Sequence, residues 1–166
     1  MDTYRIIITK RDTRAFLDRP VPVETRRRIL QAGRMAGSSK NSQPCRFVVL
    51  EDPRVREEFA ACGDFAAWLP QAPFVVAIAV VGGTRGEFDA GRAAQNMMIT
   101  AWAEKVASCP VSLHRQECAV EVLRLPPDAR VPIAIGFGYR AKPAKHAPEA
   151  ARLGWDEYVR INRWQP

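Results

Sequence analysis

Three kinds of hydrophobic pattern alternate along this chain. The run Phe74 to Val81 is apolar without a break and is bounded by Pro73 and Gly82-Gly83, which predicts a strand buried on both faces. Arg46 to Leu50 and Val131 to Tyr139 are rich in β-branched and aromatic residues and predict two further strands. Helical spacing governs most of the remainder. After Pro22, Ile29, Leu30, Gly33 and Ala36 form one stripe, with Arg26, Arg27 and Arg34 outside it. Asp52-Pro53 reads as an N-cap and first turn, followed by Val55, Phe59 and Cys62 on one side. Ala90, Ala94, Met97, Ala101 and Trp102 mark the buried side of the longest predicted helix, about 88–108, within which the amides of Gln95-Asn96 require partners or an exposed face. A shorter amphipathic helix over 114–123 ends before Pro126-Pro127.

Other stretches are less decided. Tyr4, Ile6, Ile7 and Ile8 make too short a run to choose helix or strand, and 109–113 reads as a brief strand or a turn. Gly136 and Gly138 are expected to loosen the end of the last strand, and they open no GxGxxG fingerprint, so a dinucleotide fold is excluded. From 140 to 151 the chain is rich in Lys, Pro and Ala and is expected to cross a surface in extended form. Trp155, Tyr158, Val159 and Trp164 are then expected to dock on the domain or on a second subunit.

At 166 residues, 47% hydrophobic and 26% charged, the chain fits one globular domain. The net charge of +7 suits an anionic ligand, but the basic residues form no long run and aromatics are only 8%, so no nucleic-acid partner is expected. No apolar run approaches the ~18–20 residues that span a bilayer, so no membrane partner is expected either. The opening Met1-Asp2-Thr3-Tyr4 is unlike a secretory signal, which points to the cytoplasm. Cys45, Cys62, Cys109 and Cys118 lack zinc spacing and are expected to be reduced, mostly buried thiols. His114 and His146 stand far apart, so no metal site is expected.

Two polar clusters carry the candidate chemistry. Lys10-Arg11-Asp12-Thr13-Arg14 gathers three cations in five residues, suited to cradling a phosphate with forked and point-charge donors. Gly37-Ser38-Ser39-Lys40-Asn41-Ser42-Gln43 crowds small hydroxyl and amide side chains into one helix-to-strand loop, where they can hydrogen-bond a ligand without bulk.

The order of these pieces resembles the nitroreductase family of FMN-dependent oxidoreductases. Lys10 to Phe16 is similar to the family's RRSxRxF pattern, and Gly37 to Phe47 to its PSxxNxQPWxF loop. Asp89-Ala90-Gly91 through Gln95-Asn96-Met97-Met98 resembles its long central helix, and Ile135 to Gly138 with the basic tail resembles its closing strand and C-terminal arm. The resemblance implies an α+β fold, with a central, mostly antiparallel sheet flanked by helices. It implies a single domain over 1–166 and an intertwined homodimer, with 140–166 as an arm on the partner and two FMN sites at the interface. By position, Lys10, Arg11 and Arg152 would meet the FMN phosphate and Arg14 the ribityl chain or the N1–O2 side of the ring. Ser38, Ser39 and Asn41 would arrive from the other subunit, and Pro110-Val111-Ser112 would lie beside the ring, near N5.

No catalytic side chain is implied, because the flavin performs the redox chemistry. NADH or NADPH would be the donor and a nitroaromatic, quinone or similar small molecule the acceptor, in a ping-pong cycle. Alternatives are a specialised flavoenzyme (dehalogenating, dehydrogenating or flavin-fragmenting), a flavin binder without turnover, or a basic interaction module. Three residues depart from the pattern. Asp12 replaces serine and is expected to pair with Arg11 or Arg14 or to point away, Cys45 replaces tryptophan and is expected to thin the packing beneath the loop, and Gly37 replaces proline. The chain is also short for lid helices, so an open pocket is expected.

Overall fold

The computed structural model describes residues 2–82, 86–142 and 152–164. Gly83 to Arg85, His146 and most of the Lys/Pro/Ala-rich stretch lie outside the described residues. Ten regular elements follow in the order α1 (Thr3–Thr9), α2 (Val23–Arg34), β1 (Cys45–Val49), α3 (Pro53–Ala61), β2 (Phe74–Val80), α4 (Gly86–Ala103), β3 (Ala107–Val111), α5 (Gln116–Val122), β4 (Arg130–Gly138) and α6 (Trp155–Tyr158). The strands form one antiparallel sheet in the order β1-β2-β4-β3. The α+β architecture implied by the resemblance is therefore present.

Both faces of the sheet are covered, which is why β2 reads as an unbroken apolar run. On one face, Phe74, Val76, Ile78, Ile135 and Phe137 pack against Ile29 of α2 and Ala90, Ala94 and Met97 of α4. On the other, Val75, Ala77, Ala134 and Val131 pack against Phe59 and Cys62 of α3, Leu69, and Ala119 of α5. Val131 and Ile133 face opposite sides because the register shifts opposite Ile78/Val80, where Pro132 occupies a bulge rather than a regular ladder position.

The structure settles the undecided stretches and moves some boundaries. Residues 3–9 form a helix capped by the Asp2 carboxylate, which accepts from the Arg5 N–H. The long helix stops at Ala103, because Lys105 takes a left-handed φ of 62° that turns the chain into β3. Asn96 finds its partner in the Ala32 carbonyl on α2, while Gln95 is exposed. Gly136 and Gly138 do not loosen β4. A Cβ at Gly136 would lie 2.7 Å from Trp68 and 2.9 Å from the Ala72 Cβ, so glycine there permits close packing.

The expectation of four reduced thiols is corrected. Cys62, at the C-cap of α3, is bonded to Cys118 of α5, and only Cys45 and Cys109 are free. Sequence spacing gave no hint of this pair because their 56-residue separation closes only when α3 and α5 pack side by side on the same face of the sheet.

Replacing Gly136 with Ala forces the new methyl against the rigid Ala72 Cβ. The expected loss is about 1–3 kcal/mol of unfolding free energy, the usual penalty of overpacking a filled core. Urea denaturation read by tryptophan fluorescence measures it, and an unchanged midpoint would refute this account of the glycine.

Candidate functional site

The basic cluster lies against the β3 edge of the sheet. Lys10 ends α1 as its C-cap, and the chain then runs beside β3, with Asp12 bridged in parallel to Ser108 and the Thr13 N–H donating to the Ser108 carbonyl at 3.1 Å. This parallel course carries Arg14 alongside Cys109. The result is a track along β3, with Lys10 and Arg11 at its start, Arg14 midway, and Val111 and Ser112 at its far end. Val111 is buried and Ser112 exposed.

Local contacts determine which charges are available. The Lys10 ammonium pairs with the Asp12 carboxylate and touches the Met98 sulfur of α4 at 3.4 Å. Asp12 was expected to pair with Arg11 or Arg14. It pairs with Lys10 because both side chains leave the same side of the extended segment, two residues apart. Arg11 donates from NH1 to the carbonyls of Ile8 (2.9 Å) and Lys10 (2.8 Å), while its Nε is buried without a partner. Among the described residues Arg11 and Arg14 form no ion pair. Burial pushes the Cys109 thiol up, and the Arg14 guanidinium beside it only partly offsets this.

The far end of the track is held by a clasp. Gly63 packs so tightly there that a Cβ would lie 3.3 Å from the Ser112 carbonyl oxygen. The Arg115 N–H donates to the Cys62 carbonyl at 3.0 Å, and its guanidinium pairs with Asp64 at 2.5 Å and also donates to the Ala61 carbonyl. The Asp64 N–H donates to His114 Nδ1 at 3.2 Å. Arg115 holds the Asp64 carboxyl below its usual range. With the Cys62–Cys118 bond, these contacts tie the segment after Ser112 to the end of α3. Phe65 projects there, 65% exposed, with its ring edge toward His114 at 5.6 Å between centroids.

The second cluster lies elsewhere. Ser38, Ser39 and Asn41 precede β1, at the opposite edge of the sheet, three strand spacings or about 14 Å away. Their loop is strained and pinned. Lys40, Asn41 and Gln43 have left-handed φ of 51°, 55° and 48°, the Ser38 hydroxyl accepts from the Gln43 N–H at 2.8 Å, and Arg92 donates to the Gly37 carbonyl at 2.6 Å. Beneath the loop, Cys45, Pro44, Phe47 and Leu30 line a cavity of about 670 Å³.

Lys10, Arg11, Arg14, Val111 and Ser112 are thus brought together, whereas Ser38, Ser39 and Asn41 are not brought to them within one chain. Arg152 is exposed, and the hydrogen bonds of 152–164 stay within that segment among the described residues, so no hydrogen bond there ties Arg152 to the track. Sequence reading missed Arg140, just after β4. Its backbone bridges to Phe16, its guanidinium lies 4.8 Å from the centroid of the Trp102 ring, and its NH1 is buried without a partner. It was hidden among other basic residues, and only the pairing of its backbone with the segment after Arg14 distinguishes it.

A family model described as "Nitroreductase family" matches residues 7–62 and 62–139. A protein of Archaeoglobus fulgidus named as an NADH dehydrogenase/NAD(P)H nitroreductase is 29% identical over 77 residues. That match takes in 46% of this chain and 44% of the relative, so less than half the relative's own length. Among solved structures, a nitroreductase from Desulfovibrio desulfuricans in complex with FMN superposes with a TM-score of 0.81 at 25% identity, covering 99% of both chains. The NADPH:FMN oxidoreductase of Vibrio harveyi complexed with NAD⁺ superposes at 0.89 with 23% identity, over 99% of this chain and 78% of that one.

The thiols provide a direct check. Denatured without reductant, the protein is expected to present two titratable thiols to Ellman's reagent, and four after reduction. In the folded protein, burial raises the pKa of both Cys45 and Cys109, so both stay protonated and slow to react at neutral pH, with reactivity rising only above the ordinary thiol range. Four thiols before reduction would overturn the disulfide.

Proposed function

The chain belongs to the nitroreductase family, and on that footing we propose that it is an FMN-dependent oxidoreductase passing reducing equivalents from NADH or NADPH to small acceptors such as nitroaromatics or quinones. The observation that carries the proposal is the track along β3, where Arg11 without an ion pair and Lys10 paired with Asp12 stand at one end and an exposed, clasped turn at the other. Its donors suit FMN. Arg11 offers a buried, unpartnered Nε to a phosphate, and Lys10 adds a positive charge that Asp12 partly offsets. Arg14 is the cation nearest the middle of the track, suited to the ribityl chain or the N1–O2 side of the ring. Val111 and Ser112 flank the ring near N5. Bound FMN supplies hydride and electron transfer. The protein's part is to hold the phosphate, to place a cation where negative charge gathers on reduction, and to keep the turn rigid.

The acceptor is met by an open wall. Ser112, His114 and Phe65 are exposed on one side of the turn, and a solvent-facing aromatic ring there favours flat, aromatic acceptors. Donor and acceptor take turns at this face, which gives ping-pong kinetics.

A second copy completes the site. Ser38, Ser39 and Asn41 cannot reach the track of their own chain, so in the homodimer they serve the partner's cofactor. Apolar side chains left in water support the same assembly. Tyr4, Ile7 and Ile8 of α1, and Leu153, Trp155, Tyr158, Ile161 and Trp164 of the tail, are all at least 48% exposed. The arm expected over 140–166 begins later, because Arg140 and Ala141 stay paired with Phe16 and Ala15 of their own chain; the tail over 152–164 packs on the partner and brings Arg152 to a phosphate.

The purified protein is expected to be yellow and to bleach anaerobically on addition of NADH or NADPH; a spectrum unmoved by either donor rejects the enzymatic reading. Arg14→Ala and Arg152→Ala are each expected to weaken FMN retention about tenfold at low salt, the worth of one charge-assisted contact, and less at high salt, where the lost charge is already screened. Fluorescence titration measures this, and FMN affinity unchanged from the wild type in both variants would show the cradle to be misplaced. Sedimentation at micromolar concentration should give a dimer, and a monomer contradicts the shared site.

A further inference from the structure

We infer that Arg140 is a phosphate-binding residue of this site, acting from a shelf on α4 and taking the part that Asp12 removes from Lys10. The inference rests on the FMN reading above. Trp102 and Met98 are four residues apart on α4, so their side chains are neighbours on one face, about 6 Å apart. The Lys10 ammonium lies on Met98 and the Arg140 guanidinium over Trp102. Two cations thus stand one helical turn apart beside the start of the β3 track.

Their partners differ. Lys10 is paired with Asp12. Arg140 forms no ion pair among the described residues, and its NH1 is buried with no hydrogen-bond partner. A buried guanidinium N–H without an acceptor is costly to leave unmet. Arg11 Nε, on the same short segment as Lys10, is in the same condition. Trp102, under Arg140, bonds Thr9, two residues before Arg11, so the two unpartnered guanidinium donors belong to segments joined through one indole, and a single anion with several acceptor oxygens, such as a phosphate monoester, suits both.

Arg140 is also held in place before any ligand arrives. Its backbone is bridged to Phe16, the Ala141 N–H donates to the Ala15 carbonyl at 3.1 Å, and the Trp102 indole is fixed by donating to the Thr9 hydroxyl at 3.2 Å. A cation resting on an indole face with both ends anchored loses little freedom on binding. Thr9 and Trp102 are thus the supports, and Lys10, Arg11 and Arg140 the cations, of the inferred anion site.

The test compares FMN with riboflavin, which lacks only the phosphate, on flavin-free full-length protein. Arg140→Ala is expected to weaken FMN binding about tenfold to a hundredfold while leaving riboflavin affinity unchanged, and to flatten the salt dependence of FMN binding. Arg140→Lys keeps the charge but not the fork and should fall between the two. Equal loss for both flavins would reduce Arg140 to a structural role and overturn the inference, as would FMN affinity unchanged in both variants. Wild-type protein that binds neither flavin overturns the functional reading and this inference together, whereas wild-type binding of FMN that the variants retain overturns the inference alone.

Discussion

Val75, Val76 and Ala77 of β2 lie opposite Gly136, Ile135 and Ala134 of β4, and this apolar pairing at the centre of the sheet positions everything else. It is sealed on one side by α2 and α4 and on the other by α3 and α5, so neither central strand can carry polar chemistry. The polar clusters are driven to the two edge strands, β1 and β3. That separation is the physical reason one chain holds only half of each proposed site.

At the β3 edge, the arrangement of charge matters more than its amount. Five basic and acidic side chains, Lys10, Arg11, Asp12, Arg14 and Arg140, crowd one end of the sheet, with a single carboxylate among them. Asp12 neutralises the nearest ammonium, and the guanidinium groups are left unpaired against a helix face and a buried thiol. An anion at that end would balance the surplus, which is what the proposed phosphate site supplies.

The turn at the other end of the track depends on a different kind of interaction. Ser112 has little packing of its own, but Gly63 abuts its carbonyl, and Arg115, Asp64, His114 and the Cys62–Cys118 bond clamp the chain on either side. Rigidity near the proposed ring is thus provided by α3 and α5, which contribute no proposed ligand contact themselves. The cavity under the serine-rich loop shows the opposite case. Beside the small Cys45 side chain the space is open, and the loop is held by Arg92 and the Ser38 hydroxyl.

Strands, helix faces and caps were legible in the sequence because they follow from local periodicity and from capping residues such as Asp52 and Pro53. The basic and hydroxyl-rich clusters were legible too, since their composition is local and their order along the chain resembles a known pattern. The α1 helix and the early end of α4 are local, but a short apolar run and a left-handed lysine did not announce them; the packing role of Gly136 required the folded chain, because it depends on Trp68 and Ala72. The same holds for the Cys62–Cys118 bond and the position of Arg140, whereas Lys10 and Asp12 are only two residues apart and pair because the backbone between them is extended. Composition and spacing along a chain specify which side chains are available and which local shapes they adopt; only the antiparallel closure of the sheet decides which of them meet, since a contact across strands costs no more at a separation of 90 residues than at 10 once the strands between have paired.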